Sequence, residues 1–199
     1  MLRSKLPEVY SYQLKAKESL HDSPYLLCKY TYTFKTYNHH AYVVIVEKYK
    51  YHLYAIKYFL KSHRNSDFRY NYSTDDGRPR IKIYTCFSIL QEIFNSDPDA
   101  SFGFIGAESV SKHITIRVKR NNWQYDLNDK VYKEGSTNNR RYRIYKTIVD
   151  TFFDPAIFRY VKDIDMGMYI ILNRNYEKKD VKLQDNIQNM LQEIFDIFS

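Results

Sequence analysis

Residues 28–60 read CKYTYTFKTYNHHAYVVIVEKYKYHLYAIKYFL, and this stretch decides which fold the chain is expected to adopt. From Tyr30 to Lys35, tyrosine and phenylalanine alternate with threonine and lysine, which is the period of two typical of a half-buried strand. Residues 41–47 are largely β-branched, and aromatic and β-branched residues continue through residues 49–60. With a turn at residues 37–40, this pattern predicts a three-stranded antiparallel meander.

A helix is predicted after the meander. Residues 73–79 are rich in turn-forming types, and the apolar residues that follow lie three or four positions apart. They are Ile83, Phe87, Leu90 and Phe94, with Ile89 and Ile93 beside them. The sequence Asn95-Ser96-Asp97-Pro98 is expected to end this helix.

The remaining elements complete an α+β pattern. We predict a strand at Ser101–Ala107, a helix at Asn139–Phe153, a strand pair at Phe158–Lys162 and Met168–Leu172, and an amphipathic helix at Val181–Phe198. The expected order is therefore β-β-β-α-β-α-β-β-α. This order predicts a single α+β domain with a mixed, mostly antiparallel sheet and three or four helices.

The chain divides into three predicted parts. Residues 1–26 are polar and are expected to be a loose segment or a short helix over Glu8 to Leu20. Residues 27–175 form the predicted core, which carries a basic insertion at residues 108–137. Residues 176–199 form the C-terminal amphipathic helix, whose Phe195 and Phe198 offer a surface for a protein partner.

Composition excludes several classes of protein. The 199 residues are 44% hydrophobic and 17% aromatic, which is too high for a disordered chain. The two cysteines have no zinc-site spacing, so we expect no metal. The first residues are interrupted by charge before any signal-peptide length is reached, and no apolar run approaches the roughly 20 residues of a membrane helix. We expect a cytoplasmic protein that does not associate with membranes.

The net charge of +8 is concentrated in two blocks. Residues 29–70 contain eight Lys or Arg and two acidic residues, while residues 110–146 contain ten and three. Localised basicity of this kind can form a binding face, although a charged run can equally be a solvated surface.

The order of elements over residues 28–173 resembles the core of the GNAT-type N-acyltransferases. In that family the loop before the first core helix binds the pyrophosphate of acyl-CoA through backbone N–H groups at the helix N-terminus. The corresponding stretch here is Asp75-Asp76-Gly77-Arg78-Pro79-Arg80. The resemblance implies that Gly77 belongs to the cofactor loop and that Arg78 and Arg80 supply charge to phosphate.

The same resemblance implies roles for two residues of the second helix. Asn138 and Tyr145 have the family's seven-residue spacing, in which Asn contacts the cofactor and Tyr donates a proton to the leaving thiolate. A phenol with a pKa near 10 is protonated at neutral pH and can do so. The stretches Phe102–Ala107 and Asn138–Lys146 also resemble a family of small proteins from Bacteroidetes, which adds kinship but no mechanism.

The alternative function is binding of RNA or single-stranded nucleic acid. Basic residues interleaved with aromatic ones provide cations for phosphates and rings for stacking on bases. The candidate residues lie in the second basic block: Arg117, Lys119, Arg120, Arg140, Arg141 and Arg143. A third possibility is an accessory protein such as an antitoxin, which would bind a protein partner and carry out no chemistry.

Overall fold

The protein is described by a computed structural model that covers residues 8–66, 69–70, 78–105, 119–120, 123–124, 149–163 and 168–196. Seven strands in these ranges form one mixed sheet in the spatial order β1-β2-β3-β4-β5-β9-β8. They are β1 Tyr12–Ser19, β2 Leu26–Lys35, β3 Ala41–Tyr49, β4 Leu53–Leu60, β5 Ser101–Ile105, β8 Phe158–Asp163 and β9 Met168–Asn173. A separate antiparallel pair contains β6, Lys119–Arg120, and β7, Trp123–Gln124.

The predicted fold class is confirmed: the chain is an α+β domain with a mixed, mostly antiparallel sheet. Strands β2, β3 and β4 are the predicted meander, with Tyr32 opposite Val44 and Val46 opposite Ile56. The predicted strand at the start of 101–107 is β5, and the predicted final strand pair is β8 with β9. The pair β4 and β5 is parallel, whereas the other neighbours in the sheet are antiparallel.

The N-terminal part of the chain differs from the prediction. Instead of a short helix or a loose segment, residues 12–19 form β1, which pairs antiparallel with β2. Most of its side chains are exposed, and Leu14 is 51% exposed. The physical reason is that backbone pairing to β2 completes the sheet at this edge without a strongly apolar sequence.

Helices cover both faces of the sheet. Helix α1, Pro79–Ser96, lies on one face, with helical residues 149–152 beside it. The ring of Phe87 in α1 stacks on Phe104 of β5 and meets Phe153 edge-on. The sheet residues of this cluster are mainly aromatic and β-branched: Tyr32, Phe34, Tyr42, Val44, Val46, Tyr54, Ile56, Phe102, Phe104, Phe158 and Ile171.

The opposite face is covered at one end by the C-terminal helix α3, Leu183–Asp196. The predicted inward residues Leu183, Ile187, Met190 and Leu191 are buried against β4, β8 and β9. A short helix that the sequence pattern did not predict, α2 or Arg174–Lys179, precedes it. The side chain of Asn173 caps α2 and donates to the carbonyl oxygens of Pro98 and Ala100, joining α2 to the loop before β5.

Helix α1 is confirmed over its predicted apolar residues, of which Phe87, Ile89 and Leu90 are fully buried. Of the predicted helix at 139–153, only residues 149–152 are helical within the described ranges, and residues 139–148 lie outside them. The predicted strand or hairpin at 114–118 also lies outside them. No helix among the described residues is long and apolar enough to cross a bilayer.

A carboxylate anchors the C-terminal end of α1. Asp97 accepts hydrogen bonds from His52 Nδ1 at 2.8 and 2.9 Å, from Tyr54 OH at 2.8 Å and from Lys48 Nζ at 3.2 Å. Burial opposes ionisation of Asp97, but the hydrogen bonds from His52 and Tyr54 outweigh it and lower the pKa of this carboxyl. The cluster joins α1 to the connection between β3 and β4.

Candidate ligand-binding site

The N-terminus of α1 carries the cofactor-binding residues that the sequence predicted and the structure describes. Pro79 occupies the first turn, where the missing N–H costs no hydrogen bond. Arg78 is the N-cap residue, and no side chain of the described residues caps the helix there. The first turn contains no acidic residue. Because the amides of a helix N-terminus attract anions, this end of α1 is electrostatically suited to phosphate.

Three basic residues occupy alternate positions at the start of α1, beginning with the N-cap residue. Arg78 is 59% exposed at its side chain, and its guanidinium lies 5.4 Å from the ring centroid of Tyr37. Arg80 is exposed. Lys82 is buried, and its Nζ donates to Tyr42 OH at 3.2 Å and lies over the same ring at 5.1 Å. The turn therefore offers two outward guanidinium groups and one inward ammonium group.

The ladder between β4 and β5, in the same sheet that carries α1, is shorter than either strand. Their parallel ladder contains the pairs Leu53–Ser101, Tyr54–Phe102 and Ala55–Gly103. Beyond Ala55, β4 continues to Leu60, paired only with β3 among the described residues. Beyond Gly103, β5 continues to Ile105, paired with β9. The facing edges of the two strands thus lack a strand partner from this point within the described ranges.

An open pocket of about 300 Å³ lies beside the start of α1. Its lining residues are Tyr10, Thr36, Tyr37, Asn38 and Arg78. Tyr10 and Tyr37 meet edge to face, with ring centroids 5.2 Å apart, and Tyr10 also stacks on Phe34. Aromatic walls with a few polar groups are typical of small-molecule sites.

Glu8 contacts two of the residues that line this pocket. Tyr37 OH donates to Glu8 Oε1 at 2.7 Å, and Arg78 Nη1 is 3.9 Å from the same oxygen. The hydrogen bond to Glu8 raises the pKa of Tyr37. Sequence analysis assigned Glu8 to the polar N-terminal segment and residues 37–40 to a turn, so it missed this pocket. The sequence signal that could have indicated this pocket is the position of Arg78 next to a predicted helix start.

The other predicted site residues are placed as follows. Lys119 and Arg120 form strand β6, opposite Gln124 and Trp123 of β7. The other predicted residues lie outside the described ranges. They are Arg117, Arg140, Arg141 and Arg143 of the nucleic-acid face, and Gly77, Asn138 and Tyr145 of the acyl-CoA site. The structure therefore brings together Arg78 and Arg80 and leaves the roles of the others as predictions.

Comparison with protein-family models, with curated proteins and with solved structures gives no match to this chain. Among the described residues, no group of three or more His, Cys, Asp or Glu could hold a metal ion.

Proposed function

We propose that the protein binds a phosphate-bearing ligand of the acyl-CoA type and that it is a GNAT-like N-acyltransferase or a relative that retains the ligand-binding site. The observation that carries the proposal is the parallel β4–β5 ladder, which ends after Ala55 and Gly103 although both strands continue. The strand preceding α1 thereby presents an edge beside a helix start that suits anions.

The edge of β4 is suited to the extended arm of such a ligand. Strand edges without a partner carry free N–H and C=O groups, and an extended chain with amide groups can pair with them as an added strand does. The pantetheine arm of CoA is such a chain. Arg78 and Arg80 would then contact the phosphates, since a guanidinium binds phosphate oxygens bidentately.

For the reaction, Tyr145 would be the catalytic acid and Asn138 a hydrogen-bonding group on the cofactor side. The acceptor amine attacks the thioester carbonyl, a C–N bond forms, and the C–S bond breaks. The phenol of Tyr145 gives its proton to the departing thiolate, while the amine loses its proton to solvent. Tyr145 is then reprotonated from solvent.

The first test is acetyl-CoA binding, measured by calorimetry and by the shift in melting temperature. The chain should melt at a higher temperature with millimolar acetyl-CoA, because a ligand of the native state stabilises it. Replacing both Arg78 and Arg80 by Ala should weaken binding by about tenfold or more, given the strength of charge-assisted hydrogen bonds. Lys178→Ala, which removes an exposed charge in α2, is the control.

The second test separates chemistry from binding. Tyr145→Phe should abolish acyl transfer to amines while acetyl-CoA binding is retained. Absence of any acetyl-CoA binding by the unaltered chain would overturn the proposal. Binding of single-stranded RNA instead, with an affinity that falls steeply with salt, would favour the nucleic-acid alternative.

A further inference from the structure

The pocket at Tyr10, Thr36, Tyr37, Asn38 and Arg78 lies on the flank of α1 that faces β1 and β2. On this flank Thr85 Oγ1 accepts from the Tyr10 amide, and Tyr12 OH donates to Glu92. The flank of α1 that faces β5 is marked instead by the Phe87–Phe104 stack. The pocket and the facing edges of β4 and β5 beyond their ladder therefore lie on opposite sides of the helix.

Two cationic or donor groups of the pocket, from Tyr37 and Arg78, face one carboxylate supplied by the chain itself. Glu8 Oε1 receives the hydrogen bond from Tyr37 and lies 3.9 Å from the guanidinium of Arg78. The Glu8 side chain is 46% exposed, so it can leave this position without disturbing buried atoms. The Glu8 carboxylate thus occupies a position between the Tyr37 phenol and the Arg78 guanidinium that another anion could take.

Thr36 is the second and independent observation. It lines the pocket and is 4% exposed, yet its Oγ1 has no hydrogen-bond partner among the described residues. Its backbone groups are satisfied, because its N–H donates to His40 O and its carbonyl accepts from His39 N. A buried hydroxyl without a partner costs free energy, and a bound ion or ligand that accepts its hydrogen bond would remove that cost.

We propose that this pocket binds a phosphate monoester carried on a small ring, and that Glu8 is an internal competitor for the phosphate position. Arg78, the Tyr37 phenol and the Thr36 hydroxyl provide donors for several phosphate oxygens. Tyr10 and Tyr37 provide aromatic walls for the ring. A carboxylate on a ligand would make the same contacts as Glu8, and Glu8 would outcompete it because it belongs to the same chain as the donors. A phosphate carries more negative charge and more acceptor oxygens than a carboxylate, so it can displace Glu8.

The test uses phenyl phosphate as the probe, with benzoate and inorganic phosphate as comparison ligands, in calorimetric titrations of the full chain. Glu8→Gln should tighten phenyl phosphate binding by about fivefold, the effect expected of one exposed carboxylate. Glu18→Gln makes the same chemical change at an exposed position of β1, about 20 Å along the strand from Tyr12, and should leave the affinity unchanged. Phenyl phosphate should bind more tightly than either comparison ligand.

Thr36→Val separates binding from folding. Valine has the same shape without the hydroxyl, so the free protein should melt at the same or a higher temperature. Binding of phenyl phosphate should weaken by about tenfold, as expected for one lost hydrogen bond to a charged group. A role in folding alone predicts the reverse, a lower melting temperature with unchanged affinity, and that result would overturn the proposal.

An unchanged or lowered affinity in Glu8→Gln would overturn it as well, as would equal binding of benzoate and phenyl phosphate. Arg78 is shared with the proposed acyl-CoA site, whereas Thr36 belongs to this pocket and has no role in that site. Thr36→Val should bind acetyl-CoA as the unaltered chain does, so loss of one ligand site is distinguishable from loss of the other.

Discussion

At the scale of single residues, the ionised carboxylate of Asp97 holds three side chains together. Its carboxylate receives hydrogen bonds from Lys48, His52 and Tyr54, and these residues come from β3, β4 and the connection between them. Burial of the phenol is the main reason that the pKa of Tyr54 is raised, so Tyr54 remains a donor to Asp97 at ordinary pH. The cluster thus depends on a charged Asp97.

Asp97→Asn should lower the free energy of unfolding by about 1–3 kcal/mol at pH 7, because charge-assisted hydrogen bonds are lost. The folded-state pKa of Asp97 lies below its ordinary value of 3.8. Its stabilising contribution is therefore complete above that value and is lost as the pH falls through the lowered folded-state pKa. Urea unfolding at several pH values should show the two proteins converging in acid.

The control for this prediction is Asp22→Asn, which neutralises an exposed aspartate in the connection between β1 and β2. That variant should unfold within about 0.5 kcal/mol of the unaltered chain. If Asp97→Asn remained equally destabilising in acid, the carboxylate charge would not be the source of the effect.

At the scale of elements, the connection between β2 and β3 contains backbone strain that a substitution can relieve. His39 is exposed and has a φ of 60°, in the left-handed region that disfavours residues with a Cβ. Its N–H donates to Thr36 O, so the conformation is held by the turn. Similar values occur at Tyr51 and His52 in the connection between β3 and β4.

His39→Gly should raise the free energy of unfolding by about 0.5–1 kcal/mol, because the left-handed cost exceeds the added entropy of glycine in the unfolded chain. His40→Gly is the matched control, since His40 is not among the residues with positive φ. That substitution should instead destabilise the protein by about 0.5–1 kcal/mol. Equal effects of the two variants in urea unfolding would contradict the assignment of strain to His39.

At the scale of the whole molecule, Phe102 connects elements that are far apart in the chain. It is fully buried in β5, and its ring lies 5.9 Å from that of Phe153, 6.0 Å from that of Phe158 and 6.4 Å from that of Tyr54. Phe102→Ala should cost about 3–5 kcal/mol in thermal or urea unfolding, because a large cavity would remain in the core. Val181→Ala, at a position 89% exposed, should change stability by less than about 0.5 kcal/mol.

The elements that could be predicted from the sequence are those that depend on the spacing of neighbouring residues. The alternation in β2 and the helical spacing in α1 are local consequences of burying one face, so both elements followed from the pattern. In β1, Tyr12, Leu14 and Ala16 also alternate with polar residues, but Leu14 is half exposed and the pattern is short. Only pairing with β2 makes this segment a strand.

Some residues of the candidate site could likewise be predicted from the sequence, and others could not. Arg78 and Arg80 were predicted because the turn-forming residues 73–79 indicate a helix start, and the resemblance to the GNAT-type N-acyltransferases implies phosphate binding at that position. Glu8 and Thr36 were not predicted, because they meet Arg78 only after β1, β2 and α1 have packed together.

The sequence by itself determined the α+β class, the meander, the amphipathic helices and the concentration of basic charge, since each depends on the spacing of neighbouring residues. The tertiary structure alone decided that β5 pairs in parallel with β4 and that their ladder ends after Gly103. It also decided that Glu8 contacts Tyr37 and Arg78 of the pocket. These contacts join residues distant in the chain, and their free energy depends on the packing of the whole sheet rather than on local preference.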